Sequence, residues 1–203
     1  MEQGTPEWLA ARCGKLTASR MADAAAKTKT GWGASRSNLM AELLVERLTG
    51  SPTAGYESSA MAWGRENEAY ARAAYEFYRD CSVELVGLID HPRITMAAAS
   101  PDGLVGGAGL VEFKCPNSAT HIDTLLSSTI DGRYITQIQW QMACTGRVWC
   151  DYCSFDPRLP ERLRLFVKRV PRDNARISEL EALAEDFLRE VSTKELALAA
   201  MLA

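Results

Sequence analysis

The chain is poor in the residues from which many sites are built. Histidine occurs only twice, at His91 and His121, too sparse and too far apart in sequence for an imidazole-based metal centre. A single C-x-x-C, Cys150-Asp-Tyr-Cys153, has no second pair to complete a zinc site, and positions three apart on a strand face opposite ways. The six cysteines read as reduced, mostly buried thiols. No apolar run approaches the length of a membrane helix. The opening Met-Glu-Gln-Gly-Thr-Pro lacks the basic and apolar regions of a secretory signal. A cytoplasmic location without a membrane partner is expected. There is no excess of positive charge either: 23 Lys and Arg stand against 26 Asp and Glu, a net charge of −3. That excludes wholesale electrostatic wrapping of nucleic acid, which would have to be gripped by local patches. Internal repeats and low-complexity segments are missing as well.

What is present suits one folded domain over residues 1–203, with 47% apolar and 24% charged residues, ordinary for a globular chain. Charge is unevenly spread. Arg158, Arg162, Arg164, Lys168, Arg169 and Arg172 face only Glu161 over residues 157–172, whereas 173–203 holds seven acids against three bases. The tail reads as an acidic surface helix.

Hydrophobic periodicity and turn signals give the elements. Residues 6–13 predict a short helix, and Thr17-Ala18-Ser19 opens an alanine-rich one through Lys27. The basic, glycine-bearing stretch Lys27–Arg36 fits equally a DNA-strand grip and a connector. Helices are expected from Ser37 to Gly50, over Ser59–Arg79, Ser118–Ser128 and Tyr134–Thr145, and from Asn174 onward, with a loop at 51–57. Strands are expected at Val83–Ile89, Ile94–Ala99, Leu110–Cys115, Val148–Phe155 and Leu163–Val170. Strands in succession without intervening helices imply a mixed rather than doubly wound sheet. The fold class is therefore α/β of the α+β type, a central mixed β-sheet flanked by helices.

The most informative stretch is 99–116. Ser100-Pro101-Asp102-Gly103 is a turn, and in the strand after it Glu112 and Lys114 share one face while Val111 and Phe113 take the other. A hairpin-like return from 94–99 brings Asp102 close to Glu112, at the edge of the sheet. Two carboxylates and an ammonium then converge, a set suited to Mg²⁺ and an attacking water. On the Ser59–Arg79 helix, periodicity does not choose between Glu66 and Glu68. On the Tyr134–Thr145 helix, Tyr134, Gln137 and Gln141 share a face, and Gln139 projects elsewhere. Arg12 lies close in sequence to the Thr17–Ser19 helix start, where backbone amides offer an anion site.

These blocks, in order, resemble the phage lambda exonuclease (YqaJ-type viral recombinase) family of the PD-(D/E)xK nuclease superfamily. They are Trp8…Arg12-Cys-Gly-Lys-Leu-Thr-Ala-Ser19, Trp63-Gly-Arg-Glu-Asn-Glu68, Ser100-Pro-Asp102-Gly, Glu112-Phe-Lys114-Cys-Pro and Tyr134-Ile-Thr-Gln137-Ile-Gln139, covering roughly Trp8 to Asp156. The resemblance implies a restriction-endonuclease-like core and a metal-dependent deoxyribonuclease. It implies metal ligation by Asp102, Glu112 and the backbone carbonyl of Phe113, with Mg²⁺ as the cofactor and Mn²⁺ able to substitute. Lys114 and Glu68 would manage the water, and Glu68 could bind a second ion. Arg12, Ser19, Ser100 and Gln137 would take a DNA 5′-phosphate. It further implies 5′→3′ digestion of double-stranded DNA to mononucleotides, a 3′ single strand left for an annealing protein, and a homotrimeric ring. Two alternatives stay open: an endonuclease of the same superfamily, and a non-catalytic DNA-end-binding module.

Overall fold

The computed structural model describes residues 1–53 and 58–202, so the loop expected at 51–57 lies partly outside the described residues. Helix α1 (Pro6–Arg12) is opened by Thr5, whose hydroxyl accepts the Trp8 N–H, with proline in the first turn where no donor is needed. Strand β1 (Leu16–Thr17), a 3₁₀ turn over Ala18–Arg20 and the single-turn helix α2 (Met21–Ala24) follow. The expected Thr17–Lys27 helix is thus cut short at both ends. Thr17 is drawn into strand pairing, and the Ala26 carbonyl accepts the Gly33 N–H to close a hairpin. That hairpin, β2 (Lys27–Thr28) with β3 (Gly31–Trp32), is the form taken by the basic stretch. Helix α3 (Ala34–Thr49) begins before the expected cap at Ser37. Arg36 turns inward there, donating to the Ala24 carbonyl at 2.9 Å and stacking on the Trp32 and Phe187 rings.

Helix α4 (Ser59–Arg79) has the expected bounds and a Ser58 cap. Next come β4 (Val83–Glu84), β5 (Ile89–Asp90), β6 (Ala97–Ala99), β7 (Gly103–Val105) and β8 (Gly109–Lys114). After these lie α5 (Ser118–Ser127), α6 (Gly132–Thr145), β9 (Trp149–Phe155), β10 (Leu165–Pro171) and α7 (Asn174–Ala199). The strands form a five-stranded sheet ordered β10-β9-β8-β7-β4, a three-stranded sheet β1-β6-β5, and the β2–β3 hairpin. Pairing is parallel between β8 and β9 and between β1 and β6, and antiparallel elsewhere, so the sheets are mixed as expected.

Three expectations about the strands change. The run 83–89 splits between two sheets, and in its middle the Val86 carbonyl accepts from the Gln3 side chain. The run 94–99 is extended only from Ala97, since Met96 adopts φ +62° and the Ile94 N–H caps His91 Nδ1 at 3.1 Å. The hairpin partner of β8 is therefore β7, not 94–99, and β8 becomes the middle strand of five instead of an edge.

Alternation along β8 sorts the layers. Val111 and Phe113 pack with Ala71 and Tyr75 of α4, together with Cys153 and Phe155. Leu110 packs with Cys150, Tyr152 and the α3, α6 and α7 residues Leu39, Ile138, Trp140 and Phe187. Cys150 and Cys153 accordingly lie on opposite faces. On the α4 face, the fully buried Asp151 accepts from Tyr75 at 2.9 Å and from Arg169 at 2.8 and 2.9 Å, which pins sheet to helix.

Gly103 begins β7 directly after Asp102. A Cβ there would sit 2.1 Å from Val83 Cγ1 on the neighbouring strand, far inside contact distance. Gly103→Ala should cost about 1–3 kcal/mol in urea unfolding, and much less in a Val83→Ala background. Equal costs in both backgrounds would show that the collision is not the cause.

Candidate active site

Asp102 stands in the turn before β7, and its Oδ2 accepts the Phe113 N–H of β8 at 2.7 Å. That bond fastens the turn to the strand carrying Glu112 and Lys114. Glu112 is 1% exposed, a charge placed in the middle of a sheet. Its Oε1 accepts Lys114 Nζ at 2.5 Å and Gln137 Nε2 at 2.6 Å, and its Oε2 accepts Gln141 Nε2 at 2.6 Å. Lys114 also lies over the Tyr134 ring at 5.0 Å. The shared face of Tyr134, Gln137 and Gln141 is therefore the face of α6 turned toward β8. Gln139 points away, bonding the Pro171 carbonyl and the Asp173 N–H.

Glu68 and Glu66 are now distinguished: Glu66 is exposed, whereas Glu68 is half-buried and feels the charges of Glu112 and Lys114. Burial, then the Glu112 charge, pushes the Glu68 carboxyl upward. The same two causes push Asp102 well above the usual carboxylate range, and Lys114 and the Phe113 N–H only partly offset them. For Lys114, burial works against the charge, but Glu112 and Asp102 outweigh it and hold the ammonium protonated. Three carboxylates thus stand against the Lys114 ammonium and, near Glu68, the Arg72 guanidinium, an excess of negative charge that a divalent cation would relieve.

Among the described residues, no three His, Cys, Asp or Glu side chains are gathered as ready-made metal ligands. A cation here would rest on the Asp102–Glu112 pair, a backbone carbonyl and water. Mg²⁺ is commonly held in that manner, with one or two carboxylates and several retained waters. The donor set fits the ion.

The phosphate candidates divide. The indole of Trp8 donates to Ser100 Oγ at 3.0 Å, and the Arg12 guanidinium lies 4.1 Å from the Trp8 ring centroid, with Nη2 3.3 Å from Thr17 Oγ1. Arg12 and Ser100 are thereby brought to one wall, two residues from Asp102. Burial lowers the Arg12 pKa, although it remains a permanent cation. Ser19 is exposed in the 3₁₀ turn, which packs against α6, the helix of Gln137. Gln137 itself is engaged with Glu112. Two residues matter more than the sequence suggested. Trp8 bridges positions 92 apart in the chain, with no local signal for it. Gln141 carried a signal, its helical alignment with Gln137.

A family model for the YqaJ-like viral recombinase domain matches residues 7–148. The chain belongs to this family. Its structure superposes on an alkaline exonuclease from Laribacter hongkongensis, LHK-Exo, at a TM-score of 0.90 with 50% identity, over 98% of this chain and all of that one. The same exonuclease in complex with dAMP gives a TM-score of 0.91. A phage-related exonuclease from Haemophilus somnus, 14% identical, shares the fold at a TM-score of 0.70 over 89% of this chain and 96% of that one. No curated protein matches.

The crowded carboxylates make a stability prediction. A native-state pKa raised above the unfolded value keeps the proton on the folded form, so stability is lost as pH rises from the ordinary Asp range through the raised value. Asp102→Asn keeps an acceptor for the Phe113 N–H and removes the charge. In chelator at neutral pH, this variant should melt at a higher temperature than the parent in differential scanning fluorimetry. A lower melting temperature would contradict the repulsion.

Proposed function

We propose that the chain is a Mg²⁺-dependent exonuclease that digests double-stranded DNA 5′→3′ from a phosphorylated end. It releases mononucleotides and leaves 3′ single strand for an annealing protein. The observation carrying this reading is the Trp8 bridge, which ties the Arg12 cation and the Ser100 hydroxyl to the turn bearing Asp102. A guanidinium fork, hydroxyls from Ser19 and Ser100 and an amide from Gln137 suit a terminal phosphate dianion. Gln137 can serve both groups, because an amide carries two hydrogens and its bond to Glu112 uses one. Membership of a recombinase family and the dAMP complex of the 50% identical exonuclease support exonuclease chemistry on DNA.

Asp102, Glu112 and the Phe113 carbonyl would hold the cation, which supplies an activated water and stabilises charge on the phosphate. Lys114, held protonated at the site, orients that water and meets the developing negative charge. Glu68, within electrostatic reach of Glu112 and Lys114, would accept a hydrogen bond from the water or hold a second ion. Phosphate bound by Arg12 and Ser100 sets the first diester bond over the carboxylates, so the same pocket fixes polarity and step size.

Duplex DNA with a 5′-phosphate should therefore be degraded faster than the same duplex with a 5′-hydroxyl. Arg12→Ala should remove most of the difference, a loss on the order of 2 kcal/mol or roughly thirtyfold in rate. Equal rates on both ends, or cleavage of a closed circle, would favour the endonuclease reading.

A ring of three subunits is part of the same proposal. Tyr70 and Phe77 stand 67% and 92% exposed one above the other along α4, apolar surface that an assembly would cover. Sedimentation should give a trimer, and a monomer at working concentration would refute it.

A further inference from the structure

We propose that Gln141 is a positioning residue that sets how Glu112 presents itself to the cation; the inference rests on the metal reading above. A carboxylate offers about four lone-pair directions, two on each oxygen. Lys114 and Gln137 occupy both on Oε1, and Gln141 occupies one on Oε2. One direction is left, on Oε2. Glu112 is thus prepared as a one-oxygen ligand, and with donors on both oxygens its carboxylate cannot rotate without breaking a bond.

Several features separate this role from ordinary packing. The Gln141 side chain is wholly buried, and its Oε1 has no hydrogen-bond partner among the described residues. Its orientation is fixed by chemistry, because turning the amide over would press that oxygen against the Glu112 carboxylate. Methionine would fill the same space without burying an unsatisfied acceptor. Packing alone would favour that replacement, whereas holding a carboxylate for a metal requires the N–H. Gln137 donates to Oε1, so the donor on Oε2 is Gln141. The two glutamines divide the work: one joins the metal carboxylate to the DNA end, and the other serves the carboxylate alone.

The test is direct Mn²⁺ binding to the DNA-free protein, read by electron paramagnetic resonance, for the parent, Asp102→Ala, Gln141→Met, Gln141→Asn and Gln139→Met. Asp102→Ala should abolish the bound signal. Gln141→Met should bind Mn²⁺ about tenfold more weakly, as loss of an outer partner of a metal ligand commonly does, while remaining folded in chelator. Gln141→Asn, whose amide falls one methylene short, should lose affinity similarly. Gln139→Met, on the same helix but bonded to Pro171 and Asp173, should melt lower and bind Mn²⁺ like the parent. Parent-like Mn²⁺ affinity in Gln141→Met would overturn the proposal and leave the metal reading standing. Unfolding of both Gln141 variants would make the residue structural and overturn it too. A parent that binds no Mn²⁺ would overturn both readings together.

Discussion

A carboxylate buried in the middle strand of a sheet must be compensated, and the surroundings of Glu112 are arranged to do so. An isolated charge removed from water costs many kcal/mol, so each of its oxygens needs a donor in place. Those donors come from Lys114, two residues along the same strand, and from one face of α6. Helix α6 is held against the sheets by its own core residues, Ile138 and Trp140 among them, and by the Trp140 indole, which donates to the Ala98 carbonyl at 3.2 Å. Packing of α6 and satisfaction of the charge are therefore one constraint. The compensation is incomplete in charge: Lys114, with Arg72 near Glu68, stands against the three carboxylates Glu112, Asp102 and Glu68.

The second support comes from the beginning of the chain. Gln3 donates to the Val86 and Pro101 carbonyls at 2.9 and 2.8 Å, and Trp8 donates to Ser100. Residues 3–12 thus form a wall along the Ser100–Asp102 turn, and the turn is clamped from outside by this wall and from inside by the Phe113 N–H. Arg12 sits on that wall half-withdrawn from water, where its charge acts through a medium less polarisable than solvent and attracts anions more strongly.

Much of this was legible in the residues. The bounds of α4, the amphipathic order of α7, the opposite facing of Cys150 and Cys153, and the meeting of Asp102 with Glu112 follow from periodicity and strand alternation. The partner of β8 did not, because Gly103–Val105 is too short to show a period, while Ile94–Ala99 looks like a longer strand until Met96 turns. The central place of β8 was hidden for the same reason: parallel pairing with β9 depends on a crossover through two helices, which no local pattern encodes. The choice of Glu68 over Glu66 needed burial. Trp8 needed the whole fold, since nothing near it announces Ser100.

The one-turn spacing of Gln137 and Gln141 has a consequence for how this sequence can change. Each added or deleted residue in an α-helix turns everything beyond it by about 100°. A single insertion between these two positions would swing one amide off the carboxylate, and one placed between Trp140 and Gln141 would also part the anchor from the clamp. Length variation is therefore barred within α6, whereas the connection 128–131 before it, exposed at Ser128, Thr129 and Asp131, can lengthen or shorten without disturbing the register. Related chains should differ in size at that loop and run without gaps through the helix.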